Sequence, residues 1–457
     1  MGAVRARSSN SAFKISIMRR RLLENQIRVF LVFATLTATA LRFLLNEKGR
    51  TNPDSIRFMR SANVFPVIDN TVTPLGYPLS LKFFTLFGFD EFWASKILGI
   101  MAYLVLVWFA WKKKFYFKEI ILTGGLFSFV SIFSYTMSEA LILPFVFVFL
   151  FVGRQIIIDQ LKGLRAFVLL SLALIILYNI RYPALFLIGG VLLFGLINFR
   201  KHYGKIFITS AFTALVYVVL YKFLFIDYFN EKYIDTFLEI GLHPTSQLLT
   251  ELFQGLTTTF NPFVHIADPG GGLINYAIYG IGLFNILLIV YLFVQQKLSE
   301  TEFFLVFMGV FGILCSFFIQ YFYSVNAIDY RLMAPFSLPI WLVYFKKMYR
   351  ILGKFTYGLT ILSLLTGLIF TWLSRGNYLE NRKVITTFLR AEKLDKVPLK
   401  FYVESEEELD KFKIAELIST VNPRVNITFK PADTLRKNTL TAYRVLRKIK
   451  IDKNQFQ

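Results

Sequence analysis

Long apolar runs, several of them near 20 residues, recur along this chain and are separated by short clusters of charge. A helix needs about 20 predominantly apolar residues to cross a bilayer core. Composition supports reading the runs as spans: 55% of the 457 residues are hydrophobic and 18% aromatic. A soluble chain of this length rarely has that balance, because its surface must be covered by polar groups. The sequence therefore predicts an all-α polytopic membrane protein. About eleven transmembrane helices are expected, with a large first extracytoplasmic loop and a small α/β C-terminal domain.

The expected spans are roughly 28–46, 92–111, 117–136, 140–153, 166–180, 183–199, 205–225, 273–295, 303–323, 331–346 and 353–373. The fourth and sixth are short. The N-terminus, with Arg19-Arg20-Arg21 before an apolar run, superficially resembles a signal peptide. The run is long and lacks a small-x-small cleavage site, so a retained first span is the better reading.

Orientation follows from the short loops. One side gathers Lys112, Lys113, Lys114 and Lys118, then Arg154, Lys162 and Arg165, then Arg200, Lys201 and Lys205, then Lys346, Lys347, Arg350 and Lys354. The other side carries little charge. This asymmetry predicts a multi-pass inner-membrane protein with a cytoplasmic N-terminus. It also accounts for the net charge of +22. No nucleic-acid motif accompanies that charge, and no nucleic-acid partner is expected. The single cysteine, Cys315, excludes a disulfide framework within one chain.

The expected organisation is a basic arm over 1–27, a transmembrane domain over 28–375 and a tail domain over 376–457. Two long segments, 47–91 and 226–272, fall outside. The second holds turn signals at Asn261-Pro262 and Asp268-Pro269-Gly270-Gly271-Gly272. The acidic series Asp227, Glu231, Asp235, Glu239 has helical spacing and reads as an exposed face. In the tail, 399–403 and 425–429 alternate like strands, and 405–420 and 433–449 read as helices. Eleven spans put the tail outside. Its many Lys and Arg residues leave a ten-span, cytoplasmic alternative.

Ionisable residues at membrane spans are costly and often functional. The expected topology brings Asp54, Glu139, Arg181, Asp329 and Arg331 to the outer face, although they are far apart in sequence.

The segment Asn52-Pro53-Asp54-Ser55-Ile56-Arg57-Phe58, soon after the first span, resembles the first outer loop of the glycosyltransferase C superfamily. That superfamily includes the protein O-mannosyltransferases and the lipid A aminoarabinose transferase. Thr73-Pro74-Leu75-Gly76-Tyr77-Pro78-Leu79 is similar to its Pro-Leu-aromatic segment. Phe87-Gly88-Phe89-Asp90-Glu91-Phe92-Trp93-Ala94-Ser95-Lys96 is similar to its entry into the second span, where Arg is commoner than Lys96. Ser138-Glu139-Ala140-Leu141, Asn179-Ile180-Arg181-Tyr182-Pro183 and Tyr330-Arg331-Leu332-Met333-Ala334-Pro335 resemble later turns of the same pattern. Each motif alone is weak; their order, spacing and membrane side together are more specific. The resemblance covers roughly 28–346 and does not reach the tail.

The resemblance implies an inverting transfer of a sugar from a polyprenyl-phosphate donor to a cell-envelope glycan, lipid or protein acceptor, beside the membrane lipid. An acceptor hydroxyl needs a carboxylate to take its proton, and Asp54 is the candidate. The phosphate leaving group needs charge stabilisation, which a planar guanidinium supplies well. Arg331 and then Arg181 are the first candidates, with Arg57 and Lys96 behind them and Glu139 and Tyr77 as further substrate-binding candidates. No Asp-x-Asp occurs in either outer loop, so neither a metal nor another cofactor is expected.

Plainer roles exist for each residue. Asp54 also suits a helix cap, and the two roles are compatible. Glu139 suits a solvated turn or an Arg partner, and Arg181 and Arg331 suit interface snorkelling. Asp329 suits simple neutralisation of Arg331. Tyr77 and Trp93 read as interfacial aromatics. His243 and His265 read as solvated. Three other functions fit many spans: a polymerase or ligase of lipid-linked oligosaccharides, a transporter or flippase, and an inactive scaffold. A transporter would usually show repeated halves or broken helices, and no internal repeat is visible.

Overall fold

The computed structural model describes residues 2–229, 245–266, 272–322 and 328–451, with side chains from Leu22 onward except at 245. Helices dominate. In chain order they are α1 (Gly2–Leu45), α2 (Pro53–Val64), α3 (Gly76–Thr85), α4 (Glu91–Lys113), α5 (Phe117–Gly124), α6 (Phe127–Ser134), α7 (Ser138–Ile157), α8 (Gly163–Ile180), α9 (Leu185–Ile197) and α10 (Gly204–Tyr221). Then come α11 (Thr245–Phe260), α12 (Leu273–Gln295), α13 (Glu300–Phe322), α14 (Tyr330–Leu352) and α15 (Thr356–Leu373). The tail adds α16 (Tyr378–Ala391), β1 (Leu399–Tyr402), α17 (Leu409–Ser419), β2 (Val425–Thr428), β3 (Thr439–Thr441) and α18 (Ala442–Lys448).

Eight helical segments are long and apolar enough to cross a membrane. One of them, Tyr330–Leu373, is two antiparallel helices. Tyr349 near the end of α14 and Tyr357 near the start of α15 both donate to Glu24 of α1, whereas Ser374 just after α15 meets Arg42 at the other end of α1. Helices α5 and α6 form one passage bent by 77°. The bend falls at Gly124-Gly125, where neighbouring side chains of α4 and α15 leave no room for a Cβ. The shorter α9, preceded by a 3-10 turn at Tyr182–Ala184, also crosses between the faces. With these, eleven passages connect two faces among the described residues.

Contacts sort the ends of the passages. One face carries the basic loops and is called the basic face. Here Arg28 bonds Tyr357 at 3.0 Å, Tyr203 bonds Glu300 at 2.7 Å, and the buried Lys347 ammonium lies 2.9 Å from the Glu302 carboxylate. The opposite face carries the first loop and the tail. Here Tyr182 donates to the Thr71 carbonyl at 2.9 Å and Tyr217 to Asn179 at 2.9 Å. Two passages are longer than expected. α7 continues through Arg154, a cation near a span end that can keep its head at the interface, and α14 continues through Lys346 and Lys347, whose ammonium groups pair with Glu302.

The segment 226–272 is not simply an outer loop. Helix α11 starts at the outer face, where Glu251 accepts from Gln320 at 3.0 Å. It ends deep in the bundle: Phe260 packs on Trp341 (ring centroids 5.8 Å), and Trp341 lies near the middle of α14. The chain turns at Asn261-Pro262 and heads back outward. Irregular backbone at this depth must be satisfied by protein. Asn285 donates to the Phe260 carbonyl at 2.8 Å, and Ser363 donates to that of Pro262. Asn261 accepts from the amides of Phe263 (2.9 Å) and Val264 (3.0 Å) and donates to the Ile278 carbonyl (2.8 Å). The expected outer placement is therefore corrected for this stretch: α11 is re-entrant. Glu231, Asp235, Glu239, His243 and most of the glycine turn at 268–272 lie outside the described residues.

The tail is a three-stranded parallel sheet in the order β2-β1-β3, with Leu399 opposite Val425 and Phe401 opposite Leu440. The expected helix over 433–449 is a 3-10 turn, strand β3 and the short α18 instead. Three residues carry too little alternation to show a strand, yet burial of Leu440 against β1 fixes it. The tail rests on the first loop. Arg382 reaches Asp90 at 2.7 Å, and Arg424 bonds Asn63 at 2.6 Å.

Candidate active site

The first loop leaves α1 through a pinned exit. Asn46 pairs with Arg375 beyond α15, and the Glu47 amide donates to the Ser374 carbonyl at 3.0 Å. Gly49 and Arg50 then take left-handed backbone, both at φ +56°. The Arg50 carbonyl accepts from the Thr136 amide at 3.1 Å and from the Lys96 ammonium at 3.3 Å. These bonds fix the backbone and direct the Arg50 side chain inward. Its guanidinium lies 4.3 Å over the Tyr135 ring and donates to the Tyr330 hydroxyl at 3.4 Å.

Tyr135 sits in the turn between α6 and α7. Arg331, from the first turn of α14, stands over the same ring at 5.2 Å. Asp329 caps α14, accepting from the amides of Arg331 (3.0 Å) and Leu332 (3.1 Å), and its other oxygen takes the Arg331 Nε at 2.6 Å. His265, on the outward limb of the re-entrant turn, is wedged between the rings of Phe127 (4.4 Å) and Tyr330 (4.0 Å). It is buried, not solvated, and neither ring nitrogen has a hydrogen-bond partner. Arg42, near the end of α1, is buried over Phe127 at 4.9 Å, with its Nε unpartnered.

The sequence-derived candidates fall into two groups. Glu139 and Arg181 are buried and pair at 3.3 Å, joining the α6–α7 and α8–α9 turns. Glu139 and Arg331 both belong to this neighbourhood, within electrostatic reach of each other. Arg181 is not a snorkeller, since its head is held inside by the carboxylate. Lys96 is fully buried. It donates to the carbonyls of Arg50 and Ser134 (3.1 Å) and to the Thr136 hydroxyl (2.9 Å), so all three ammonium hydrogens are used. It fixes the first loop to the α6–α7 turn. Tyr77 is also buried, edge-on to Phe58 at 5.0 Å, rather than at the interface.

Asp54 and Arg57 form the second group, paired with each other at 3.4 Å and both partly exposed. Asp54 does not cap α2. Asn52 does, in a reciprocal capping box with Ser55. The Asp54 carboxylate is therefore free of cap duty in the first helical turn, four residues after Arg50.

The electrostatics are uneven. Arg181 has Glu139 and Arg331 has Asp329. Arg42, Arg50 and Lys96 have no carboxylate within 4 Å among the described residues. Arg42 and Lys96 are buried and Arg50 is half-buried; a buried cation without a counter-charge carries a desolvation cost of several kcal/mol, and an anion would offset it. Bidentate guanidinium pairs suit phosphate best. Beside this cluster, a cavity of about 380 Å³ runs under the tail. It is walled by Lys48, Thr51, Asn52 and Pro53, reaches Tyr135, and is roofed by α17 residues such as Phe412 and Glu416.

Sequence reasoning missed Arg42, Arg50 and His265. Arg42 had a readable signal, being an arginine inside the first span. Arg50 had none, since it looks like an ordinary loop cation. His265 was hidden by placing its segment outside.

Fold and cluster together define a polytopic membrane protein with a cationic cluster at one face. No family model matches the chain, and no curated protein matches it. Among solved structures, ArnT from Cupriavidus metallidurans in the apo state is similar, at 15% identity over 85% of this chain and 84% of that one, with a TM-score of 0.41. At that distance the likeness carries none of the argument below.

Proposed function

We propose that the chain is an inverting glycosyltransferase. It moves a sugar from a polyprenyl-phosphate donor to a cell-envelope acceptor on the face that carries the first loop, taken to be extracytoplasmic. The observation that carries this reading is the excess of cations over carboxylates where the buried Arg42 and the half-buried Arg50 and Arg331 meet the rings of Phe127, Tyr135 and Tyr330, set at the membrane edge beside the Asp54 loop. A lipid-borne phosphate matches both features: its charge meets the cluster, and its tail remains in hydrocarbon.

In the reaction the acceptor oxygen attacks the sugar C1 as the bond from C1 to the phosphate oxygen breaks. Asp54 takes the acceptor proton. Arg50 and Arg331, both over the Tyr135 ring, hold the phosphate as its negative charge grows. Lys96 acts as a positioning residue by fixing the Arg50 carbonyl. Glu139 keeps Arg181 in place at the α8–α9 turn. The cavity under the tail gives the acceptor room beside Asp54.

The test uses the purified full chain in nanodiscs. Undecaprenyl phosphate is expected to bind at least tenfold more tightly than undecaprenol, and Arg50→Ala and Arg331→Ala to erase that preference. Asp54→Asn is expected to keep the binding and to lower transfer from a polyprenyl-phosphate sugar about 100-fold or more. Equal binding of the phosphate and the alcohol would overturn the donor reading. Near wild-type transfer by Asp54→Asn would overturn its role as base.

A further inference from the structure

The basic face holds a second cationic site, remote from the one above. A cavity of about 530 Å³ opens there, lined by Arg28, Lys114, Lys118, Arg154 and Lys346, with Glu119 as the lining carboxylate. Two of these cations are paired, Arg28 with Glu24 and Lys346 with Glu302. Lys114, Lys118 and Arg154 have no carboxylate within 4 Å among the described residues. Aromatic rings hold two of them in place: Lys118 lies 3.8 Å over Tyr349 and Arg154 5.6 Å over Phe115. The Tyr116 hydroxyl, also in the lining, is buried without a hydrogen-bond partner. The site thus presents cations and a spare hydroxyl to a ligand that must be anionic.

The shape narrows the ligand further. Asn25, Arg28, Trp111 and Phe117 line this cavity and also a second one of about 510 Å³. The second runs along the outer flank of α1 and α4 and is walled by Val32, Phe33, Leu104 and Trp108. Phe33 is 65% and Trp108 51% exposed, so the groove opens sideways to lipid. A free nucleotide or inorganic phosphate would use the first cavity and leave the second unfilled. A molecule with a phosphate head and hydrocarbon chains fills both.

We propose that this joined pocket and groove bind an anionic phospholipid. Its phosphodiester sits among Lys114, Lys118 and Arg154, and an acyl chain lies along the α1–α4 groove. A zwitterionic lipid carries its own ammonium into the same cluster of cations and is disfavoured. The site does not depend on the glycosyltransferase reading.

The detergent-solubilised full chain, titrated with phosphatidylglycerol or phosphatidylcholine of equal chain length and read by native mass spectrometry, tests this. Phosphatidylglycerol is expected to bind at least tenfold more tightly. The Lys114→Gln/Lys118→Gln double variant should lose the preference. Lys162→Gln, at an exposed lysine of the same face outside the pocket, should keep it, which separates a site from general charge. Inorganic phosphate in equal excess should not displace the lipid. Should the double variant misfold, Leu104→Gln in the groove tests the acyl half, with weakened phosphatidylglycerol retention expected. Equal affinity for the two lipids, selectivity unchanged by both sets of variants, or displacement by phosphate overturns the proposal.

Discussion

Gly49 and Arg50 are consecutive left-handed residues, and their requirements differ. A Cβ on Gly49 would fall 2.2 Å from the Tyr378 ring, in addition to the backbone penalty at φ +56°. For a non-glycine residue that penalty alone is roughly 1–2 kcal/mol. Gly49→Ala is expected to lower Tm and, by displacing Arg50, to weaken undecaprenyl phosphate binding. Gly88→Ala isolates the backbone part, because Gly88 has φ +87° and open space around its Cβ position. Circular dichroism melts and binding should show the first variant impaired in both, and the second only slightly in stability. Equal effects from the two would remove Tyr378 from the account. At this scale the legible residues were those at span ends: Glu139, Arg181 and Arg331. Their partners and burial were not legible, since a pair such as Glu139 and Arg181 is set by how two turns pack, not by either turn's sequence.

The re-entrant α11 shows what periodicity hides. Its apolar stretch is too short to count as a span, so a topology reading places it in a loop. The signals of its depth are single residues on other helices. Asn285 of α12 donates to the Phe260 carbonyl and accepts from the Tyr344 hydroxyl at 2.8 Å. Replacing it removes both partners in a dry interior, where each orphaned group costs about 1–3 kcal/mol. Asn285→Leu is therefore expected to lower Tm and to speed amide exchange over 255–266. His265 rides on that limb and should loosen with it. Hydrogen-exchange mass spectrometry measures this directly, and unchanged protection would mean that the turn is held from elsewhere. The bent pair α5–α6 teaches the converse: the sequence reads as one continuous span, and only contacts across Gly124-Gly125 reveal the kink.

At the scale of the whole molecule, site and topology are one claim. An odd number of passages puts the N-terminal arm and the tail on opposite faces, and odd counts before Asp54, Glu139, Arg181 and Arg331 put all four on the same face. The count was readable from hydropathy, but the pairing of faces rests on contacts that no hydropathy profile contains, such as those of α1 with both α14 and α15. Single-cysteine labelling tests it. Cys315, half-buried within α13, is first replaced by Ser. New cysteines are then placed at Val67 and Leu435, 64% and 89% exposed on the first loop and the tail, and at Lys162 on the basic face. In intact cells with a permeabilised outer layer, a membrane-impermeant maleimide should modify Val67→Cys and Leu435→Cys. Lys162→Cys should react only once the inner membrane is opened. Labelling of Val67→Cys and Leu435→Cys from opposite sides would break the count between α1 and the tail, and with it the assembled site. Labelling of Lys162→Cys alone from outside would keep the cluster intact but invert the protein, placing the Arg42, Arg50 and Arg331 cluster and Asp54 in the cytoplasm. That outcome would remove the extracytoplasmic reaction while leaving the phosphate-binding chemistry in place.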